Sequence, residues 1–197
     1  MKPPISIIIL TYNCEDVITN NLKSLISQNF PANYEVILID DYSKDQTVAK
    51  VKEFIAKKNR FRLIQQEINR GNGYCKNLGL KLAKGQIVFF LDDHLYLKDK
   101  TIILKMYDYL DKNSDIIGVC GNYISATTND YNICRDIRRF MVYNKNMENI
   151  IISKENFMPF SIVISALNKK NLKKSGGSIF PEDFKKNAAE DTFFQLK

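Results

Sequence analysis

The chain has 197 residues, of which 45% are hydrophobic and 26% charged, proportions typical of a globular domain with a sizeable core. No apolar stretch approaches the roughly 18 residues of a membrane span, and no signal-peptide cleavage pattern follows the first residues, so a cytosolic protein is expected. Four widely separated cysteines and a single histidine exclude a structural zinc site. The net charge of +7 predicts either a solvated surface or attraction to phosphorylated ligands or anionic membranes.

Apolar runs alternate with helical periodicities through the first half of the chain. In chain order, the prediction is a strand at 5–10, a helix at 16–28, a strand at 35–40, a turn and a helix within 41–58, a strand at 61–66, a helix at 73–83 and a strand at 86–91. The first helix should bury one face, formed by Ile18, Leu22, Leu25 and Ile26.

The pattern is looser in the second half. It predicts a helix at about 100–112, strands at 116–120 and 157–167, and a helical tail at 188–197. Because strands alternate with helices and the strands are continuous apolar runs, we predict an α/β fold. Its sheet should be doubly wound and mainly parallel, with both faces covered by helices.

Polar residues follow three of the predicted strands at the point where each strand ends. They are Thr11, Tyr12 and Asn13 after the first strand, Asp40 and Asp41 after the second, and Asp92 and Asp93 after the fourth. A solvated Asp-Asp turn would explain any one of these alone. Ligands of open α/β sheets bind beyond the carboxyl ends of the strands, so three polar ends on one edge favour a binding site.

The chemistry of these residues suits a nucleotide diphosphate. Adjacent carboxylates such as Asp92 and Asp93 are stabilised by a hard divalent cation, and a cation held by one or two carboxylates typically binds phosphates. A single carboxylate such as Asp41 can accept a hydrogen bond from a base or a ribose, and Tyr12 can stack on a nucleobase. The sequence contains neither a P-loop nor the dinucleotide-binding glycine motif.

Four segments in register resemble the family 2 glycosyltransferases of the GT-A fold: "ISIIILTYN", "EVILIDDYSKDQT", "NRGNGYCKNLGLKLAKGQIVFFLDD" and the late "ED". The resemblance extends over nearly the whole chain. It implies a GT-A type, Rossmann-like fold and inverting transfer of a sugar from a nucleotide-sugar to an acceptor hydroxyl, with Mn²⁺ or Mg²⁺. It also implies one catalytic domain at 1–197, continued in a longer protein, with a nucleotide-sugar-binding half at 1–99 and an acceptor-side half at 100–197.

The resemblance also assigns individual residues. Those implied to bind the nucleotide-sugar are Thr11, Tyr12, Asn13, Asp41, Asn69, Gly71, Lys76, Asn77 and Asp92. Among them, Asp41 matches the carboxylate that reads the base, usually uracil, and Asp92 is expected to face the ribose. Lys76 and Asn77 occupy the family's usual Arg-Asn position, although a lysine lacks the planar fork of arginine.

The metal and the catalytic base are also assigned by position. Asp93 matches the direct metal ligand, and His94 is a second candidate ligand. Leu91 replaces the first Asp of the D-x-D motif, which removes one carboxylate that relatives place near the metal. Asp191 in "AAEDTFF" matches the catalytic base, which removes the proton of the acceptor hydroxyl.

The implied partners are a UDP-sugar donor and a glycan, lipid-linked or protein acceptor, with no nucleic acid. The expected place is the cytoplasm, with the basic surface favouring peripheral association with the inner face of the membrane, in bacterial surface glycan synthesis.

Three other functions are compatible with parts of the sequence. A nucleotidyltransferase would share the sheet and the carboxylates, but it usually has a glycine-rich loop where this chain has "TYNCED". A receiver domain is shorter and places its acidic pair after the first strand. The third is a catalytically inactive, glycosyltransferase-like binding module.

Overall fold

The computed structural model describes residues 5–30, 33–113, 116, 118–120, 122–125, 132–136, 164–174 and 180. The strands are β1 (Ile5–Thr11), β2 (Tyr34–Asp40), β3 (Phe61–Gln65), β4 (Ile87–Asp92), β5 (Leu95–Leu97), β6 (Gly118–Cys120), β7 (Asn122–Ser125), β8 (Asn132–Asp136) and β9 (Ile164–Asn168). The helices are α1 (Ile18–Ile26), α2 (Thr47–Ile55), α3 (Asn72–Leu82), α4 (Ile102–Lys112) and α5 (Lys169–Lys174).

A six-stranded sheet in the order β3-β2-β1-β4-β9-β6 forms the centre of the molecule. Strands β3, β2, β1 and β4 are parallel, whereas β9 runs antiparallel to both β4 and β6. The predicted doubly wound, mainly parallel sheet is therefore confirmed, and its last two strands come from the second half of the chain. Strands β5, β8 and β7 form a separate three-stranded sheet, which the sequence did not predict.

Both faces of the central sheet are covered, as the continuous apolar runs predicted. On one face, Ile7 and Ile9 of β1 belong to a buried cluster that includes residues of α1 and α4. On the other face, Ile8 packs in a second cluster with residues of α3 and α5. Burying a side chain of this size stabilises the fold by roughly 1.5–3 kcal/mol, so the alternation of faces along β1 fixes its position.

Helix α3 lies very close to the sheet because it carries a glycine at the contact. A Cβ atom at Gly79 would lie 2.6 Å from Cγ2 of Ile8 and 3.1 Å from Cδ1 of Ile39. Any larger residue would push the helix outward. This close packing fixes where the first turns of α3, with Lys76 and Asn77, stand relative to β1 and β2.

Some element predictions need correction. Helix α1 buries Ile18, Leu22 and Leu25 as expected, but Ile26 is 42% exposed, so its predicted burial is wrong. Ile26 is one residue after Leu25, and adjacent helical residues point about 100° apart. The strand predicted at 157–167 is present as β9, and residues 157–163 lie outside the described part of the chain, as does the predicted helical tail.

No helix among the described residues combines the length and the hydropathy needed to cross a membrane.

Candidate nucleotide-sugar site

The order of the strands creates a crevice at one edge of the sheet. From β1 the chain proceeds outward to β2 and β3, and then returns to β4 on the opposite side of β1. Thr11 is level with Asp40 of β2, and Leu10 is level with Asp92 of β4, so three carboxyl ends meet at one edge. Such a reversal of strand order is where open α/β sheets bind ligands. The residues predicted after β1, β2 and β4 are therefore brought together.

Thr11 and Asp40, at the base of this edge, are hydrogen-bonded to each other. Thr11 is 1% exposed and Asp40 is 2% exposed. The Thr11 hydroxyl donates to Asp40 Oδ1 at 3.1 Å, and Ser43 donates to the same carboxylate through its backbone N–H at 3.0 Å and its hydroxyl at 2.5 Å. Asp40 thus closes the turn after β2, and the Thr11 side chain supports the site from below.

Two exposed tyrosines rise from the ends of β1 and β2. Tyr12 is 49% exposed and Tyr42 is 39% exposed, and Lys44 Nζ lies 3.1 Å from the centroid of the Tyr42 ring. Asn13 joins the two loops, because its Oδ1 accepts the Lys44 backbone N–H at 2.8 Å and its own N–H donates to Ser43 Oγ at 3.0 Å. Tyr42 was not predicted, although an aromatic residue directly after Asp41 was a visible signal.

The backbone at Asn13 and Tyr42 is unusual. Their φ angles are 47° and 72°, in the left-handed region that few residues other than glycine adopt. Asparagine tolerates this region well, whereas a tyrosine there is uncommon. Asn13 is held in this conformation by its hydrogen bonds with Ser43 and Lys44, the two residues that follow Tyr42.

Asp41 organises the loop that precedes α3. It is 5% exposed, and its two carboxylate oxygens accept the backbone N–H groups of Arg70 at 2.7 Å and Gly71 at 2.8 Å. Gly71 has φ of 87°, which favours glycine at this position. Burial raises the pKa of the neighbouring Cys75 thiol, and the negative charge of Asp41 raises it further. The carboxylate predicted to read the base therefore holds the loop before α3.

Asn69, in the same loop, carries an unpaired acceptor. Its Oδ1 is buried and has no hydrogen-bond partner among the described residues. A buried acceptor without a donor costs about 1–3 kcal/mol. A ligand that brought an N–H or O–H group to this oxygen would recover that free energy.

The first turns of α3 present Lys76 and Asn77 to a residue far along the chain. Lys76 is 2% exposed, and its Nζ lies 5.4 Å from the centroid of the Phe180 ring. Asn77 Nδ2 donates to the carbonyl oxygen of Phe180 at 2.8 Å, and the Phe180 N–H donates to Asn77 Oδ1 at 3.0 Å. Both residues expected near the nucleotide thus contact Phe180.

An acidic cluster with a histidine follows β4. His94 Nδ1 lies 3.2 Å from Asp93 Oδ1, and His94 Nε2 lies 3.9 Å from Asp92 Oδ2. All three side chains remain partly accessible, at 26% for Asp92, 21% for Asp93 and 38% for His94. The turn is held from α1 by Asn21, whose Nδ2 donates to the carbonyl oxygens of Asp92 and Leu95 at 2.8 Å each. Asn21 was not predicted.

Two neighbours of the cluster are buried. Leu91 is 2% exposed and belongs to the same apolar cluster as Ile7 and Ile9, so the residue that replaces the first Asp of the motif is part of the core. Cys14 lies close to Asp93. Burial raises the pKa of its thiol, as do the negative charge of Asp93 and a hydrogen bond to it.

The cluster suits a divalent cation whose remaining coordination positions are filled by the substrate and water. The described residues contain no group of three or more His, Cys, Asp or Glu side chains arranged to hold a metal ion by themselves. Mg²⁺ in phosphate-transfer sites commonly needs only one or two carboxylates, since phosphate oxygens and waters supply the other ligands. Asp93 and Asp92, both partly accessible and side by side, match that donor set. Asp191, the predicted base, lies outside the described residues.

The family model of glycosyl transferase family 2 matches residues 6–174. The chain belongs to this family. The described part of the matched segment includes every strand of the central sheet and all three strand ends of the candidate site.

Several family members with named activities are similar to this chain. A poly(ribitol-phosphate) beta-N-acetylglucosaminyltransferase, TarS of Staphylococcus aureus, is 29% identical over 194 residues, which cover 98% of this chain and 32% of TarS. A poly(ribitol-phosphate) beta-glucosyltransferase of Bacillus spizizenii is 29% identical, and the match covers 98% of this chain and 29% of that enzyme. WfgD of Escherichia coli, a UDP-Glc:alpha-D-GlcNAc-diphosphoundecaprenol beta-1,3-glucosyltransferase, is 30% identical. The match covers 80% of this chain and 63% of WfgD. The chain spans about a third of the length of the first two.

Solved structures of family members have the same fold. The crystal structure of TarS residues 1–349 superposes with a TM-score of 0.71 at 27% identity, covering 98% of this chain and 54% of that one. TarS was also solved with UDP and with UDP-GlcNAc. The mannosyltransferase PcManGT of Pyrobaculum calidifontis, solved with GDP-Man and Mn²⁺, superposes with a TM-score of 0.70 at 18% identity, which shows the fold alone. The predicted GT-A fold is thus confirmed.

A polar cleft lies at the opposite edge of the sheet, with a volume of about 390 Å³. It is lined by the residues around the amino ends of β2 and β3, namely Asn33, Tyr34, Glu35, Asn59, Arg60 and Arg62, together with Lys84. Glu35 carries the only carboxylate among these lining residues. This carboxylate accepts hydrogen bonds from the Ser6 hydroxyl, the Arg62 guanidinium and the Lys84 backbone N–H. The strand reversal and the partly accessible carboxylates of Asp92 and Asp93 are both at the carboxyl edge instead.

Proposed function

We propose that this chain is the donor-binding part of an inverting glycosyltransferase, which moves a sugar from a UDP-sugar to an acceptor hydroxyl. The observation that carries the proposal is the meeting of three strand ends at the reversal beside β1. This places the exposed Tyr12, the loop held by Asp41 and the carboxylates of Asp92 and Asp93 on one edge of the sheet.

Recognition of the base follows from the donors and acceptors on this edge. The imide N–H of uracil is a hydrogen-bond donor, and the buried Oδ1 of Asn69 is an acceptor that lacks one among the described residues. The ring of Tyr12 can stack on the base, and Asp41 holds the loop in the conformation that presents Asn69. UDP and UDP-GlcNAc complexes of TarS, at 26–27% identity, support a uracil nucleotide.

Asp93, with Asp92 beside it and His94 as a further candidate ligand, would hold Mn²⁺ or Mg²⁺. When bound, such a cation neutralises charge on the departing nucleoside diphosphate as a Lewis acid. Asp93 presents a partly accessible carboxylate at the edge where a diphosphate would lie. Asp92 can accept a hydrogen bond from a ribose hydroxyl, and His94 Nδ1 lies within hydrogen-bond distance of Asp93 Oδ1, at 3.2 Å.

Asp191 is the proposed base that removes the proton of the attacking hydroxyl. Asp191→Asn should lower transfer about 10²–10⁴-fold, the usual contribution of a positioned base, while keeping the affinity for UDP. Glu190→Gln is the matched control, because it removes the charge of the carboxylate that adjoins Asp191 in the sequence. Loss of transfer in Glu190→Gln alone would move the base to Glu190, and loss in neither variant would remove the role from this motif.

For the acceptor, we propose a bacterial surface glycan or its lipid-linked precursor, handled at the cytoplasmic face of the membrane. The support is that named relatives act on poly(ribitol-phosphate) or on a diphosphoundecaprenol-linked sugar. The chain's net charge of +7 would favour such phosphate-bearing acceptors and peripheral contact with anionic lipids.

Calorimetric titration with UDP, GDP and ADP in the presence of Mn²⁺ tests the donor class. UDP should bind most tightly, and omission of Mn²⁺ should weaken its binding. Release of pyrophosphate from UTP and a sugar-1-phosphate would instead indicate a nucleotidyltransferase. UDP binding without turnover of any UDP-sugar, in the full-length protein with an acceptor extract, would indicate the inactive binding module.

A further inference from the structure

The side chain of Asn77 pairs with both backbone groups of one residue, Phe180, which lies 103 positions later. Its amide N–H donates to the Phe180 carbonyl at 2.8 Å, and its carbonyl accepts the Phe180 N–H at 3.0 Å. This two-point pairing needs a donor and an acceptor at fixed spacing. A carboxamide provides them, whereas a carboxylate or a hydrophobic side chain cannot.

The ring of Phe180 is held as firmly as its backbone. It is 3% exposed, and it packs edge-on against Phe90 of β4, with ring centroids 5.1 Å apart and an interplanar angle of 75°. The ammonium group of Lys76 lies 5.4 Å from its centroid, within the range of a cation–π interaction. Helix α3 and strand β4 thus hold Phe180 from two sides.

The two elements that hold Phe180 also form the donor edge. Phe90 precedes Asp92 by two residues on β4, and Asn77 stands in the helix that begins directly after Gly71, whose N–H is bound by Asp41. In the sequence, Asp191 follows Phe180 by eleven residues. The contact at Phe180 is therefore the described point at which the chain leading to Asp191 is tied to the donor edge.

We propose that Asn77 is a positioning residue, which fixes the chain at Phe180 against the donor edge and thereby supports the transfer step. The inference rests on the proposed glycosyltransferase function. It departs from the expectation that Asn77 binds the nucleotide, because its amide is already paired at both ends with Phe180. Its loss should change the turnover number and leave the affinity for UDP unchanged.

The test compares the full chain with Asn77→Ala, Asn77→Asp and the control Asn59→Ala, an exposed asparagine at the other edge of the sheet. Hydrogen exchange at the Phe180 amide should accelerate about tenfold in Asn77→Ala, since two hydrogen bonds are lost. In Asn77→Asp it should accelerate less, because the carboxylate still accepts the Phe180 N–H. Asn59→Ala should match the wild type.

Titration with UDP and Mn²⁺ and kinetics of UDP release from UDP-GlcNAc, with poly(ribitol phosphate) as acceptor, complete the test. Asn77→Ala should keep UDP affinity and KM within about twofold while kcat falls up to about 10²-fold, the effect of a displacement of about 1 Å. A tenfold loss of UDP affinity, or unchanged exchange at Phe180, would overturn the proposal. If the wild type binds no UDP, the donor assignment fails, and the exchange rates still decide whether Asn77 fixes Phe180.

Discussion

Replacement of Asp41 by alanine tests the link between the loop before α3 and nucleotide binding. The substitution removes both acceptors of the Arg70 and Gly71 N–H groups, which are now bound at 2.7 and 2.8 Å. A hydrogen bond to a charged group contributes roughly 1.5–3 kcal/mol, and two bonds to one side chain are not fully additive. We therefore expect Asp41→Ala to lower the free energy of unfolding by about 3 kcal/mol.

The same substitution should weaken UDP binding, because the loop no longer presents Asn69 in one conformation. The expected loss is about 1–3 kcal/mol of binding free energy, which is about 5- to 150-fold in Kd. Asp41→Asn should be nearly as harmful, since an amide places an N–H group against one of the two loop N–H donors. Titration calorimetry with UDP and Mn²⁺ measures the affinity, and urea unfolding measures the stability.

The exposed Asp111 on α4 provides the control, and Asp111→Ala should change neither quantity measurably. Superimposable UDP titration curves for the wild type and Asp41→Ala would refute the reasoning. A loss of stability without a loss of affinity would restrict Asp41 to a structural role.

Three further predictions follow from other residues. Asp93→Ala should abolish the Mn²⁺-dependent part of UDP binding and His94→Ala should weaken it much less; equal losses by calorimetry would make the site an Asp-His pair. Leu91→Asp, which restores the first Asp of the motif, should destabilise the protein by at least about 3 kcal/mol, because it buries a carboxylate among apolar side chains. Urea unfolding measures this loss, and the control Leu91→Met should lower the stability by less than about 1.5 kcal/mol. Burial alone would raise the pKa of Asp99, but hydrogen bonds from neighbouring side chains and backbone hold this pKa at about 2, below the ordinary 3.8. The ionised carboxylate therefore contributes about 1–2 kcal/mol of stability above pH 4, and this contribution is lost as the pH falls toward 2. The difference in unfolding free energy between the wild type and Asp99→Asn should shrink over that range.

The parallel part of the sheet could be predicted from the sequence because its signals are local. The apolar runs that became β1, β2, β3 and β4 alternate with amphipathic helices, and their polar ends are adjacent in the sequence to the strands that position them. The short β5 could not be predicted, since three residues carry no periodicity and its partner β8 lies more than thirty residues away.

The contacts of single site residues were harder to predict than their location. Asp41 and Asn77 were assigned to the nucleotide by position, and this assignment stays a prediction; the sequence did not indicate that both also form hydrogen bonds with backbone groups of other segments. Leu91 could not be placed from the motif alone, because whether a residue at a strand end points into the core depends on the register of the neighbouring strands. Such partners are non-local, and a single sequence contains no record of them.

The position of β9 has a consequence for biosynthesis of the chain. Strands β1 to β4 come from one continuous segment that ends at Asp92, but the outer side of β4 is covered by β9, whose first residue is Ile164. Until the ribosome has released that strand, the nascent protein carries an unpaired edge of the sequence Ile-Val-Phe-Phe-Leu. An exposed apolar edge of this kind is a template for intermolecular β-pairing. A recombinant fragment that stops before Ile164 should therefore aggregate, even though it contains every strand end of the donor site.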